Sequence, residues 1–213
     1  MNLRILVLTT SALLFSAAQA YADDKWDYQQ EVTYQDYHDP MMIWLADGRK
    51  LAVSLGVIRY EEISKWPRAK KLQLVFKAGA GIALLDSQTG KKIPVLAGWQ
   101  KHPIEILQEQ CQEKNITTMG TVECTQLAAK RWDSELNFAY SSLQKQVKSE
   151  AKESLKLAQR QWLKYRDEQI KAIQAVYRER DGTIWYNQSA QNILEITREQ
   201  ALRLFSLIEQ ENP

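Results

Sequence analysis

Residues 132–140 read WDSELNFAY. On a helix, Asp133, Leu136, Asn137 and Tyr140 follow the i, i+3, i+4, i+7 spacing that gathers side chains on one face. Such a face is normally apolar, yet this one carries a carboxylate, an amide and a phenol. A carboxylate turned inward is tolerated only when paired, so the face needs complementary partners. The chain downstream supplies them. If the helix runs to about Val147 and turns back near Lys148, Asn137 falls opposite Gln159. Asp133 then lies near residues 162–166, where Arg166 offers a guanidinium fork. The stretch therefore predicts an antiparallel helical hairpin whose register is fixed by a polar network, with a ligand-contacting role for that network as the competing reading.

Outward from it, everything after Pro103 reads as helix. PIEILQEQCQEK (103–114) opens with proline at a first-turn position, followed by Glu105. The next helix is expected from near Thr121 to about Val147, with Trp132, Leu136, Tyr140, Leu143 and Val147 as its inner stripe. Ser149 reads as the N-cap of a third helix reaching about Arg180, lined by Leu155, Trp162, Tyr165, Gln169 and Val176. Asp181-Gly182 ends it. A last helix over about 187–209 carries Ile193, Ile196, Leu204 and Leu207.

Before Pro103 the pattern changes to short apolar runs between turn signals. MMIWLA and KLAVSLGVI flank Asp47-Gly48, a hairpin signal. KLQLVFKA (71–78) and IALLD (82–86) flank Gly79-Ala80-Gly81, and SQTG (87–90) leads into KKIPVLA. Pro94 in that last run points to an edge strand, because proline donates nothing to a ladder. YEEISKW (60–66) reads as a short helix or turn. The fold class is α+β: a small antiparallel β-module of about five strands over 41–102, then an α-helical hairpin or bundle over 103–213 with one disulfide.

The N-terminus is read as an address. Arg4, the apolar run ILVLTTSALLF, and the small-x-small signals AQA and AYA predict a secretory signal peptide over 1–22, cleaved near Ala20 or Ala22. The run is too short to span a bilayer, and no later segment is long and apolar enough, so a soluble periplasmic protein is expected. Cleavage leaves about 191 residues, one large domain or two small ones. It leaves 27 basic against 26 acidic residues, a balance that argues against nucleic acid as partner. In an oxidising compartment the only two cysteines, Cys111 and Cys124, are expected to pair, a crosslink worth on the order of 3 kcal/mol.

With these elements in place, a family resemblance is visible. CQEKNITTMGTVEC, then DSELNFAY, then LKLAQRQWLKYRD resembles the LprI-like lysozyme-inhibitor family of small exported bacterial proteins. The shared positions are Cys111, Thr117, Cys124, Asp133, Leu136, Asn137, Tyr140, Leu155, Gln159, Arg160, Trp162, Arg166 and Asp167. The resemblance spans roughly residues 108–208 and leaves the β-module outside. Family members carry a further cysteine where this chain has Ile170, with a partner near Asn192 or Ile193. That second disulfide must be absent here, and the resemblance implies apolar contact in its place. Thr197 is kept in the last helix, with Gln200 at the spacing of the family's arginine. The function implied is binding and inhibition of a lysozyme-type muramidase.

Signals for chemistry are few, and the expectation is a protein that is not an enzyme, has no catalytic residue, and takes neither cofactor nor metal. His38 and His102 sit in no nucleophile arrangement. Asp133 and Glu135 are two apart on a helix and point in different directions. TGKK (89–92) lacks the upstream glycine of a phosphate loop. In DYHD (36–39), Asp36 and His38 make only two metal ligands. Two charged surfaces remain. Residues 23–40 form an acidic, aromatic arm with Asp23, Asp24, Asp27, Glu31, Asp36 and Asp39, suited either to a cationic partner or to a mobile terminus. Lys148, Lys152, Lys156, Arg160 and Lys164 step by four along the third helix as a basic ridge, either a solvated face or a partner-binding surface for an acidic cleft or the anionic envelope. The alternative to muramidase inhibition is a structural or interaction protein of the bacterial envelope, with the β-module as recognition element.

Overall fold

The computed structural model describes residues 26–38, 42–53, 63, 65–97 and 101–210. The expected leader and most of YEEISKW lie outside them. Six antiparallel strands, β1 (Tyr28–His38), β2 (Met42–Leu45), β3 (Lys50–Val53), β4 (Lys71–Lys77), β5 (Gly81–Leu85) and β6 (Lys92–Ala97), close into a barrel in the order β1-β2-β3-β6-β5-β4. Four helices follow: α1 (Pro103–Lys114), α2 (Thr118–Gln146), α3 (Ser149–Arg178) and α4 (Ile184–Gln210). The α+β class stands, with a six-stranded barrel as the β-module.

The strand that the sequence hides is β1. Residues 28–38 do not form an arm; they are the longest strand of the barrel, and a break in register after Tyr34 lets them pair with β4 on one side and β2 on the other. Val32 and Tyr34 point inward and are buried, with polar residues on the outer face. The acidic side chains meet cations across the sheet: Asp27 with Lys77, Glu31 with Lys71 at 3.1 Å, and Asp36 with Arg68 at 2.9 Å. The charge that looked available to a cationic partner is therefore engaged locally at those three positions; Asp23, Asp24 and Asp39 lie outside the described residues.

Nor is β6 an edge. It pairs with β5 and with β3, and Pro94 sits opposite Ala83, one residue before the β3 pairing begins at Val95. A closed barrel leaves no edge strand to assign. The Gly79–Gly81 bend between β4 and β5 is the point at which barrel and helices meet. Gly81 has φ +76°, and a Cβ there would stand 3.1 Å from the Phe138 ring of α2. Both the left-handed backbone and the close approach call for glycine.

On α2 the buried stripe is Ala128, Trp132, Glu135, Leu136, Ala139 and Leu143. It is offset from the expected one: Tyr140 is half-buried and Val147 is the C-cap. On α4, Leu194, Thr197, Ala201, Leu204 and Ile208 turn inward, whereas Leu207 is exposed. These side chains join Ile43, Phe76 and Leu84 of the barrel in one continuous core. The third helix is different. Gln159 is its only buried residue, Leu155 and Trp162 pack partly on the core, and Tyr165 and Val176 of the expected stripe are exposed. Ser149 is its first helical residue rather than its cap; Lys148 holds the cap position and makes no side-chain hydrogen bond there.

Candidate functional site

The connection between α1 and α2 is short and held at both ends. Cys111 and Cys124 form the expected disulfide, with Cα atoms 5.7 Å apart. Asn115 closes α1, its backbone N–H and side-chain amide both donating to the Cys111 carbonyl at 3.0 and 2.9 Å. Thr117 caps α2, whose first residue, Thr118, is three ahead of the expected start, and its Oγ1 accepts from the Gly120 N–H at 3.0 Å. Gly120 allows this fold-back, since a Cβ there would lie 2.8 Å from the Asn115 Cβ. The clamped loop projects two apolar side chains into solvent, Ile116 at 87% and Met119 at 62% exposure. Ordered, exposed hydrophobics of this kind are features of contact surfaces rather than of cores.

The polar face of WDSELNFAY is met by α3, but not as a buried lock. Arg166 Nη1 reaches Asp133 Oδ1 at 3.3 Å, yet the Asp133 side chain is 49% exposed, and Arg166 also binds Asp167 at 3.2 Å. A partly solvated pair like this is worth at most about 1 kcal/mol, not the cost of stranding a buried charge. Arg166 also lies over the Trp162 ring at 5.4 Å. Asn137 is exposed and donates to the Asp133 carbonyl and Oδ2 of its own helix, so it does not meet Gln159. Gln159 instead accepts from Gln200 of α4 at 3.1 Å. The third helix, α3, leans on α4 more than on α2, and the mirrored pairing across Lys148 holds near the turn, where Gln144 donates to the Lys152 carbonyl, and at Asp133 with Arg166, but not at Asn137.

The other family-motif positions divide between core and surface. Leu136 is buried; Tyr140 accepts from Gln144, which also donates to the Lys152 carbonyl; Arg160 and Asp167 are exposed. Contacts between Gln159 and Gln200 and between Tyr177 and Asn192 bracket Ile170. Asn192 is held to Tyr177, seven residues beyond Ile170, and both Ile170 and Ile193 are half-buried. Along the basic ridge, Lys148, Lys156, Arg160 and Lys164 are exposed, Lys152 is half-buried, and Lys156 pairs weakly with Glu153 at 3.6 Å.

Three residues have consequences the sequence reading did not assign: His102 and Glu135, weighed there only as catalytic candidates, and Arg198. His102 caps α1, its Nδ1 accepting from the Ile104 N–H at 3.2 Å while Glu105 returns the capping-box bond to its backbone. The ring is packed between Phe76 and Trp132, and burial together with nearby Arg198 lowers its pKa to about 3. Arg198 binds Glu105 at 2.6 Å and lies over Trp132. Glu135 is wholly buried and accepts from the Gly79 N–H at 2.7 Å. Burial raises its pKa to about 7, with the Gly79 and Gly81 amides partly offsetting. The signal for Glu135 was present: it stands three residues after Trp132 and four before Ala139, on the apolar stripe itself.

These contacts lie across the helices that carry the motif. Residues 111–204 match the family model described as lysozyme inhibitor LprI. The matched stretch begins at the first cysteine of the clamped loop and ends in the buried stripe of α4; the barrel stands outside it. No curated protein matches the chain. Among solved structures, the crystal structure of an uncharacterized protein from Burkholderia thailandensis is similar at 29% identity and a TM-score of 0.50. The similarity covers 52% of this chain and 55% of that one, so the chain spans little more than half the length of that relative. Among the described residues, no helix is long and apolar enough to cross a membrane, and no group of three His, Cys, Asp or Glu is placed to hold a metal ion.

Proposed function

We propose that the protein is an exported inhibitor of a lysozyme-type muramidase, bound through its helical half. The observation that carries this is the match of residues 111–204 to the LprI lysozyme-inhibitor model. Arg4 with its apolar run and cleavage signals supports export to the periplasm, and the Cys111–Cys124 bridge suits an oxidising compartment. The clamped loop is the part suited to enter a sugar-binding cleft. It is narrow, it presents Ile116 and Met119, and the disulfide and caps fix it beforehand, so little ordering entropy is lost on binding. The ridge of Lys148, Lys156, Arg160 and Lys164 would speed encounter with a cleft whose working groups are carboxylates, more than it would add affinity.

The test is muramidase turnover with and without the purified mature protein, across several lysozyme classes. Inhibition of at least one class is expected. Ile116→Asp with Met119→Asp should weaken it at least tenfold at all salt concentrations, whereas reversing the ridge charges should slow association mainly at low salt. An unchanged rate for every class would overturn the proposal and favour an envelope interaction protein that recognises its partner through the barrel.

A further inference from the structure

Between the barrel and the helices lies a cleft of about 280 Å³ that the motif residues do not enter. Ile82 and Val95 of the barrel, Phe138 of α2 and Phe205 of α4 supply apolar walls. Among the described residues, Glu135 is the only acidic one that lines it, and neither lysine nor arginine does. The size is near the lower end of small-molecule sites, which run from roughly 300 Å³ upward and combine apolar walls with a few placed polar groups.

Glu135 is the placed group. Its Oε1 takes the Gly79 N–H, which ties it to the β4–β5 bend. Its Oε2 is buried and has no hydrogen-bond partner among the described residues. A side chain serving only to tie the bend to α2 would use one oxygen, and a glutamine would do that without placing a titratable group in an apolar site. An unpartnered carboxylate oxygen asks for a donor, and a buried carboxylate is best satisfied by a cation. With no lysine or arginine among the described lining residues, a cationic ligand is the partner that suits this oxygen. We propose that the cleft binds a small amphiphilic amine, its ammonium group donating to Glu135 Oε2 and its apolar body lying among Ile82, Val95, Phe138 and Phe205. This stands apart from the muramidase reading, since it draws on the barrel and on none of the exposed loop.

Calorimetric titration of the mature protein at pH 8 with n-hexylamine, n-hexanol and hexanoate tests it. Hexylamine should bind saturably at one site and raise the melting temperature, the alcohol should bind at least tenfold more weakly, and the carboxylate should not bind. Glu135→Gln should lose at least tenfold in amine affinity. Should that variant fail to fold by circular dichroism, Ser142→Phe, which narrows the cleft and leaves Glu135 in place, should abolish binding. Equal binding of all three compounds, no saturable binding of the amine, or amine affinity unchanged by either substitution overturns the proposal.

Discussion

Two buried titratable residues, Glu135 and His102, pull the pH dependence of stability in opposite directions. Folding raises the Glu135 pKa from 4.5 to about 7, so the folded chain holds that proton more tightly than the unfolded chain. Its contribution is full below pH 4.5 and is lost as pH rises through 7, a change of about 3 kcal/mol. Folding lowers the His102 pKa from 6.5 to about 3, because the ring is buried and its Nδ1 must stay unprotonated to cap α1. Its contribution is full above pH 6.5 and is lost as pH falls toward 3. Between 4.5 and 6.5 the two slopes oppose each other and the profile should be nearly flat. Glu135→Gln should remove one of them, so that stability climbs with pH up to 6.5 and then levels. Thermal unfolding across that range is the check, and identical profiles for the two proteins would show that Glu135 does not hold its proton as described. Neither residue was legible as a switch in the sequence, because burial, not residue type, sets both shifts.

At the scale of elements, local signals served well and tertiary ones did not. Proline and Glu105 gave α1 its full extent, 103–114, and Asp47-Gly48 and the 79–81 bend placed two hairpins. The first strand was missed because its outer face is charged and aromatic, a composition that reads as a loop until the cations of β4 and the Arg68 segment are set beside it. On α3 the expected stripe holds at Leu155, Trp162 and Gln169, which are half-buried, and slips at Tyr165 and Val176, which are exposed. Its inward positions include Leu155, Gln159, Trp162, Arg166, Gln169, Ile170, Ile173 and Tyr177, a helical period in which polar side chains interrupt the apolar ones and blur the phase. Such a helix, with few buried side chains, should open locally at low cost. Amide hydrogen exchange is expected to run through α3 well before the middle of α2, where Trp132, Leu136 and Ala139 are buried. Equal protection of the two helices would mean that α3 is covered by something more than the contacts to α4.

For the whole molecule, sequence boundaries and physical boundaries differ. The composition changes at Pro103, and the LprI match covers only helices, both of which suggest a β-module and a helical domain side by side. Yet the core runs unbroken from Ile43 and Phe76 of the barrel through Trp132 of α2 to Leu204 and Ile208 of α4. His102 meets the Phe76 ring edge-on and lies tilted against that of Trp132, one from each half, and Glu135 ties α2 to the β4–β5 bend. Halves joined by a shared core lose each other's support when either unfolds, so one cooperative transition is expected. Trp132→Ala, which empties the largest buried side chain at the junction, should cost about 3–5 kcal/mol and lower the melting of barrel and helices together. Following the helical far-ultraviolet signal alongside exchange of the β4 and β5 amides distinguishes the cases. If the helices melted first while the strands stayed protected, the barrel would be an independent unit, and the change of composition at Pro103 would mark a true domain boundary.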